Sequence, residues 1–194
     1  MQIILLFACL LFLPLMAAAQ ETPKTEVFGG YSYLRTEGGG NLHGWKASVA
    51  ANVNEFLGLG AEFAGNYGSD SVRVTGPGGL FLFADADSNL HTFLFGPRFS
   101  LRTRRATPFA HALFGAARAH TEGRVDVPGF SFSTEFSDTD TAFAMELGGG
   151  LDVRLNQSVA LRLIQVDYLR TRFNDDTQHH ARISVGLVFR FGER

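Results

Sequence analysis

The chain has 194 residues and a formal net charge of −2, so nothing in its charge marks a partner of polyanions. Its single cysteine, Cys9, lies in the first apolar run, which leaves the rest of the chain without disulfide or thiolate chemistry. Beyond residue 19 no apolar run is long enough for a membrane helix, whereas 22 glycines and 19 phenylalanines are compatible with alternating strands.

Residues 3–16 are almost continuously apolar and are followed by Ala17, Ala18 and Ala19. An apolar run closed by small residues reads as a secretory signal segment, 1–19, with cleavage before Gln20. No Lys or Arg precedes the run, which departs from the usual signal pattern. Leu6-Phe7-Ala8-Cys9 faintly resembles a lipoprotein cleavage box, but most of the apolar run follows it. Residues 20–194 then make one domain.

Successive side chains on a strand point to opposite faces, so each strand is recognised by its parity. Strand one, 25–35, sets Val27, Tyr31 and Tyr33 against Phe28, Gly30, Ser32 and Leu34. A glycine-rich connection, 36–44, follows. Strand two, 45–53, sets Trp45, Ala47, Val49, Ala51 and Val53 against Lys46, Ser48, Ala50 and Asn52. Asn54 and Glu55 form a short turn. In strand three, Leu57, Leu59, Ala61, Phe63 and Tyr67 oppose Gly58, Gly60, Glu62, Ala64 and Asn66.

Residues 68–89 read as a long connection containing Gly76-Pro77-Gly78-Gly79, with its apolar piece 80–83 extending a hairpin. Strand four, 91–101, sets Phe93, Phe95, Phe99 and Leu101 against Thr92, Gly96, Arg98 and Ser100. Pro97 donates no ladder bond and predicts a bulge or local bend. After a basic turn, 102–108, strand five spans 109–118. Its phase is open: either Phe109, His111 and Leu113 face outward, or Ala110, Ala112 and Phe114 do.

Residues 119–140 read as a second long loop, acidic and rich in Ser and Thr. Strand six, 141–155, sets Phe143, Met145, Leu147, Leu151, Val153 and Leu155 against Ala144, Glu146, Gly148, Gly150 and Asp152. A turn at Asn156-Gln157 leads to strand seven, 159–173, where Val159, Leu161 and Leu163 oppose Arg162. Gln165 and Asp167 then fall on the apolar parity, which predicts a β-bulge near Ile164. A short polar loop, 174–180, precedes the last strand, where Ala181, Ile183, Val185, Leu187, Phe189 and Phe191 oppose Arg182, Ser184, Gly186, Val188 and Arg190. At 11 residues it has about the length of a membrane-crossing strand.

Short connections follow strands two, four and six, and longer ones follow strands one, three, five and seven. That alternation predicts an all-β fold, an eight-stranded antiparallel up-and-down transmembrane β-barrel. Hydrocarbon offers no partner to an open sheet edge, so the last strand must pair with the first. A Lys or Arg facing lipid at the midplane costs about 2–4 kcal/mol, so the apolar sets face outward. The interior then holds Lys46, Glu62, Arg98, Glu146, Asp152, Arg162, Asp167, Arg182 and Arg190. Eight strands leave a lumen that side chains fill, and buried charges need partners, so a plugged, ion-paired interior is expected.

Tyr31, Tyr33, Trp45 and Tyr67 lie near the loop-side ends of their strands, and Phe56, Phe99, Phe109, Phe189 and Phe191 near the turn-side ends. Such positions fit two interfacial belts. Stacking of nucleic acid would require an accompanying basic groove, and the net charge argues against one. An esterase needs a nucleophile, a base and an orienting carboxylate. None of His43, His91, His111, His120, His179 and His180 sits in an H-x-S pattern. Adjacent His179 and His180 point to opposite faces and make a poor chelate. No catalytic, cofactor-binding or metal-binding residue is assigned.

The stretches V-F-G-G-Y-S-Y (27–33), L-F-G-P-R-F (94–99), G-G-G-L-D-V-R (148–154), L-R-L-I-Q-V-D-Y (161–168) and V-G-L-V-F-R-F (185–191) resemble small bacterial outer-membrane β-barrel proteins of the OmpA-type and OmpX/Ail-type, including "porin family" members. The resemblance covers essentially the whole chain after the signal segment. It implies an outer-membrane location, contact with outer-membrane lipid, and recognition of the closing strand, 181–191, by the barrel-assembly machinery. It speaks weakly to activity, because its motifs are strand and glycine patterns. The expected role is non-enzymatic, structural or surface-interacting through the long loops, in a monomer without cofactor or nucleic-acid partner. A small or gated channel, a lipid-modifying enzyme and a soluble lipocalin-like barrel are the alternatives.

Overall fold

The computed structural model describes residues 22–75, 81–127, 132–173 and 176–192. Residues 1–21, on which the expected signal segment falls, the Gly-Pro stretch 76–79 and residues 193–194 lie outside the described residues. Eight strands follow one another: β1 (Thr25–Arg35), β2 (Asn41–Asn52), β3 (Leu57–Thr75), β4 (Phe81–Ser100), β5 (Ala106–Val127), β6 (Phe132–Arg154), β7 (Val159–Phe173) and β8 (Asp176–Phe191). Each pairs antiparallel with the next, and β8 returns to β1, so the sheet closes as an up-and-down barrel. The seam runs from Thr25↔Phe191 to Arg35↔Ala181. At its middle Gly30 faces Gly186, where a Cβ on Gly30 would stand 2.1 Å from the Val185 carbonyl oxygen. Glycine on both strands therefore permits the close approach there.

The turn-side connections reuse one device. The Oδ1 of Asn54 accepts from the backbone N–H groups of Phe56 and Leu57. The Oδ1 of Asn156 does the same for Ser158 and Val159. A short polar side chain thus satisfies donors that the ladder leaves open. At the opposite rim Gly39 has φ 85°, a left-handed conformation that closes the β1–β2 turn.

Four strands run farther than their parity suggests. β3 and β4 continue to Thr75 and from Phe81, and β5 and β6 to Val127 and from Phe132. The stretches read as long loops are largely ladder, because hairpin pairing needs no lipid to continue. Likewise β2 begins at Asn41 and β8 at Asp176, within stretches read as connections. Pro97 also differs from expectation. Its neighbours pair with β5 at Phe95↔Phe114 and Arg98↔His111, which is one register on both sides. The missing N–H interrupts the ladder without inserting a residue. The bulge of β7 is where the parity placed it: Asp152 pairs with Arg162 and Leu151 with Ile164, so Leu163 is the extra residue. Both Leu163 and Ile164 point outward, while Gln165 and Asp167 point inward.

Alternation assigns the faces. Trp45, Leu59, Phe63, Phe93, Phe95, Phe99, Phe143 and Phe189 are exposed on the outside. Strand five takes one phase: Phe109, His111 and Leu113 are buried in the lumen and Phe114 is exposed. Phe109 therefore does not belong to the turn-side belt.

Candidate functional site: a charge network in the barrel lumen

The inward parity of six strands delivers a central cluster. Lys46 on β2 sends Nζ to within 2.6 Å of Glu62 Oε1, 3.0 Å of Glu146 Oε1 and 2.5 Å of Asp167 Oδ2. Arg182 on β8 donates through Nη1 to Glu146 Oε2 at 2.8 Å and through Nη2 to Thr92 Oγ1 at 3.2 Å. His111 on β5 places Nε2 3.1 Å from Asp167 Oδ1. Gly148 leaves the space that Asp167 fills, since a Cβ there would stand 2.1 Å from Asp167 Oδ1.

A second cluster lies toward the turn rim. Arg162 grips Asp152 with Nε to Oδ1 at 2.7 Å and Nη2 to Oδ2 at 3.0 Å. This two-pronged geometry suits guanidinium and carboxylate. Arg98 bridges Glu26 Oε2 at 3.0 Å and Asp152 Oδ2 at 3.2 Å. Arg102 reaches Glu26 Oε1 at 3.4 Å, and Arg190 lies 3.7 Å from the same oxygen. The Arg98 and Arg162 guanidiniums lie 4.2 and 4.3 Å from the Phe109 ring centroid, and Arg162 also lies 4.2 Å from that of Phe28. Desolvated cations over aromatic faces gain from the ring quadrupole, which gives Phe109 a reason to point inward. Gln165 joins the clusters, accepting from Arg162 Nη1 at 2.7 Å and donating to Asp167 Oδ2 at 2.9 Å.

All nine charges named from sequence stand in the lumen: Lys46, Glu62, Glu146, Asp167 and Arg182 in the central cluster, Arg98, Asp152, Arg162 and Arg190 in the lower one. Sequence reasoning missed Glu26, Arg102, Gln165 and His111 as members. Glu26 shares the parity of Phe28, so its signal was present in strand one. Arg102 comes from a turn, where parity says nothing. His111 followed from a phase that the sequence left open.

Above the charges sits an apolar layer. Leu42, Leu94, Leu113 and Leu169 lie nearer the loop rim than Lys46, Arg98, His111 and Asp167 on the same strands, and they pack with Leu34 and Leu90. A cavity of about 20 Å³ remains among residues that include Glu62, Arg98, His111 and Arg162, room for about one water molecule. Glu62, His111 and Glu146 bring ligand atoms within 4.8 Å of one another, a spacing that could hold a metal ion. The Lys46 ammonium already contacts both carboxylates there, so the protein supplies its own cation.

One triad-like chain lies outside the lumen. Thr139 Oγ1 meets His120 Nδ1 at 2.7 Å, and His120 Nε2 meets Glu122 Oε1 at 3.0 Å. It sits on an open strand face, where His120 and Thr139 are ladder partners. Backbone donors committed to a ladder cannot form the oxyanion hole that acyl transfer requires.

A closed sheet with an apolar exterior and a charged, filled interior defines an integral membrane β-barrel. The chain belongs to the outer membrane protein beta-barrel domain family, whose model matches residues 5–191, and it is an integral protein of the bacterial outer membrane. It is similar to Ail, the attachment invasion locus protein of Yersinia pestis, solved in complex with the heparin analogue sucrose octasulfate. The identity is 17%, with 86% of this chain and 97% of that chain covered and a TM-score of 0.59. It is also similar to the outer membrane protein OprG from Pseudomonas aeruginosa, at 14% identity, 89% and 97% coverage and a TM-score of 0.51. At these identities the likeness is one of fold. No curated protein sequence matches this one.

Proposed function

We propose that this protein is a non-enzymatic, sealed outer-membrane barrel that holds a projecting β-sheet at the cell surface. The filled lumen carries this reading: a leucine layer caps an ion-paired network, and the cavity within it has about 20 Å³. Ions crossing it would have to displace paired charges and then pass the leucines, so the channel reading loses its path. The strand lengths support the second half. β5 and β6 have 22 and 23 residues, about twice what crossing a bilayer needs. Above the membrane β3, β4, β5 and β6 continue as one sheet, paired out to Thr75↔Phe81 and Val127↔Phe132. Its role is structural or surface-interacting. The long hairpins face the exterior and both ends of the barrel chain face the periplasm. Residues 1–19 serve as the export signal, the strand 181–191 is the segment read by the assembly machinery, and the barrel works as a monomer in contact with outer-membrane lipid.

Refolded protein in planar bilayers tests the sealed barrel, with electrophoretic heat-modifiability as the check on closure. The expected result is a mobility shift on boiling and no stepwise conductance. A shift accompanied by discrete conductance steps would replace this reading with the channel.

A further inference from the structure

We propose that the turn-side mouth of the lumen binds one water-soluble tetrahedral dianion, inorganic phosphate or a small phosphate monoester. On the orientation given above, that mouth opens to the periplasm. Among the described residues, five arginines meet two carboxylates there: Arg98, Arg102, Arg154, Arg162 and Arg190 against Glu26 and Asp152. Arg162 and Arg98 take up Asp152, and Arg98 also takes Glu26 Oε2 at 3.0 Å. Arg102 and Arg190 share Glu26 Oε1 from 3.4 and 3.7 Å. Arg154 has no ion pair among the described residues, and it faces the like charge of Arg190.

Orphaned donors give the excess charge a direction. The side chains of Arg98, Arg102 and Arg190 are 7%, 5% and 4% exposed. The Nε of each, like that of half-buried Arg154, is buried without a hydrogen-bond partner among the described residues. A buried donor left unpaired costs about 1–3 kcal/mol, so these edges call for oxygen atoms. Arg154 ends β6, Arg190 is the penultimate residue of β8, and Arg102 follows β4 by two positions. They form the outermost inward layer, which water reaches without passing the leucines. The rim fixes two of them: Arg154 N–H donates to the Arg105 carbonyl, and Arg190 N–H to that of Ser158, both at 2.8 Å. A guanidinium presents Nε and Nη to two oxygens in parallel. A tetrahedral anion can therefore engage forks from several strands at once, which a halide cannot. Excess charge at a low-dielectric mouth favours a dianion over a monoanion. The barrel wall encloses the donors and keeps lipid acyl chains away from them, so the ligand is soluble.

The test titrates inorganic phosphate at about pH 8, where the dianion prevails. Refolded protein in a phosphorus-free detergent is used at constant ionic strength, and binding is read from the phosphorus-31 line width. Saturable broadening with one phosphate per chain is expected, whether or not the lumen conducts. Arg154→Gln should weaken it about tenfold. Its urea midpoint without phosphate should stay level or rise, because no carboxylate loses a partner. Arg105→Gln, an exposed charge on the same rim, should bind as the parent does. The heat-dependent mobility shift first shows that each variant folds. Absence of saturable broadening in the parent would overturn the site, as would unchanged affinity in Arg154→Gln or an equal loss in Arg105→Gln. A lowered midpoint in Arg154→Gln would show a structural ion pair instead. Displacement of phosphate by phosphatidylglycerol added to the micelles would overturn the soluble ligand.

Discussion

Lys46 answers three carboxylates at once, and its ammonium is fully buried among them. Removing one partner from a buried ion cluster leaves uncompensated charge, which costs about 3–5 kcal/mol. Lys46→Met should therefore destabilise the barrel by about that amount, seen as a lower urea midpoint in vesicles. Trp45, the only tryptophan, supplies the fluorescence signal. Adding Glu62→Gln should recover part of the loss by removing one stranded carboxylate. A midpoint unchanged in Lys46→Met would show that Arg182 and His111 neutralise the cluster without it.

β7 shows how one element can carry two parities. Arg162 and Gln165 both face the lumen because Leu163 is inserted between two regular ladders. Deleting Leu163 should leave a closed, heat-modifiable barrel, since Arg162 still meets Asp152 and Gly186 while Gln165 still meets Ser184. Deleting Val166, three positions on, should abolish the mobility shift. That change turns Asp167 toward lipid and carries the remaining inward residues of β7 with it, because a one-residue slip flips every later side chain. The pair of deletions distinguishes a bulge that preserves phase from a strand that merely tolerates shortening.

The whole molecule divides at the level of the Tyr67↔Asn89 and Ala119↔Asp140 pairs. Below it lie the leucine layer and both charge clusters. Above it the four-stranded extension makes no contact with that network in any hydrogen bond or ion pair among the described residues. Replacing both hairpins above this level by short turns should thus leave urea stability within about 1 kcal/mol and keep the mobility shift, as for surface changes away from packed features. A truncated barrel that fails to close would mean that the extension guides folding.

Parity alone determined most of this architecture. A strand has a side-chain period of two, and lipid on one side with a narrow lumen on the other forces every residue to one face. Strand number, closure, the β7 bulge and the inward side of Lys46, Glu62 and Arg182 were therefore legible before any coordinates. Strand ends were not, because ladder pairing in water follows hairpin geometry and leaves no apolar trace; β3–β6 ran on past their apolar segments. The phase of β5 was undecided because Phe109, His111 and Leu113 are as apolar as Ala110, Ala112 and Phe114. Only the tertiary structure chose, by bringing Arg98 and Arg162 over the Phe109 ring. It also decided which charge meets which. Partners such as Lys46 and Asp167 are 121 positions apart, and the barrel's closure brings them together.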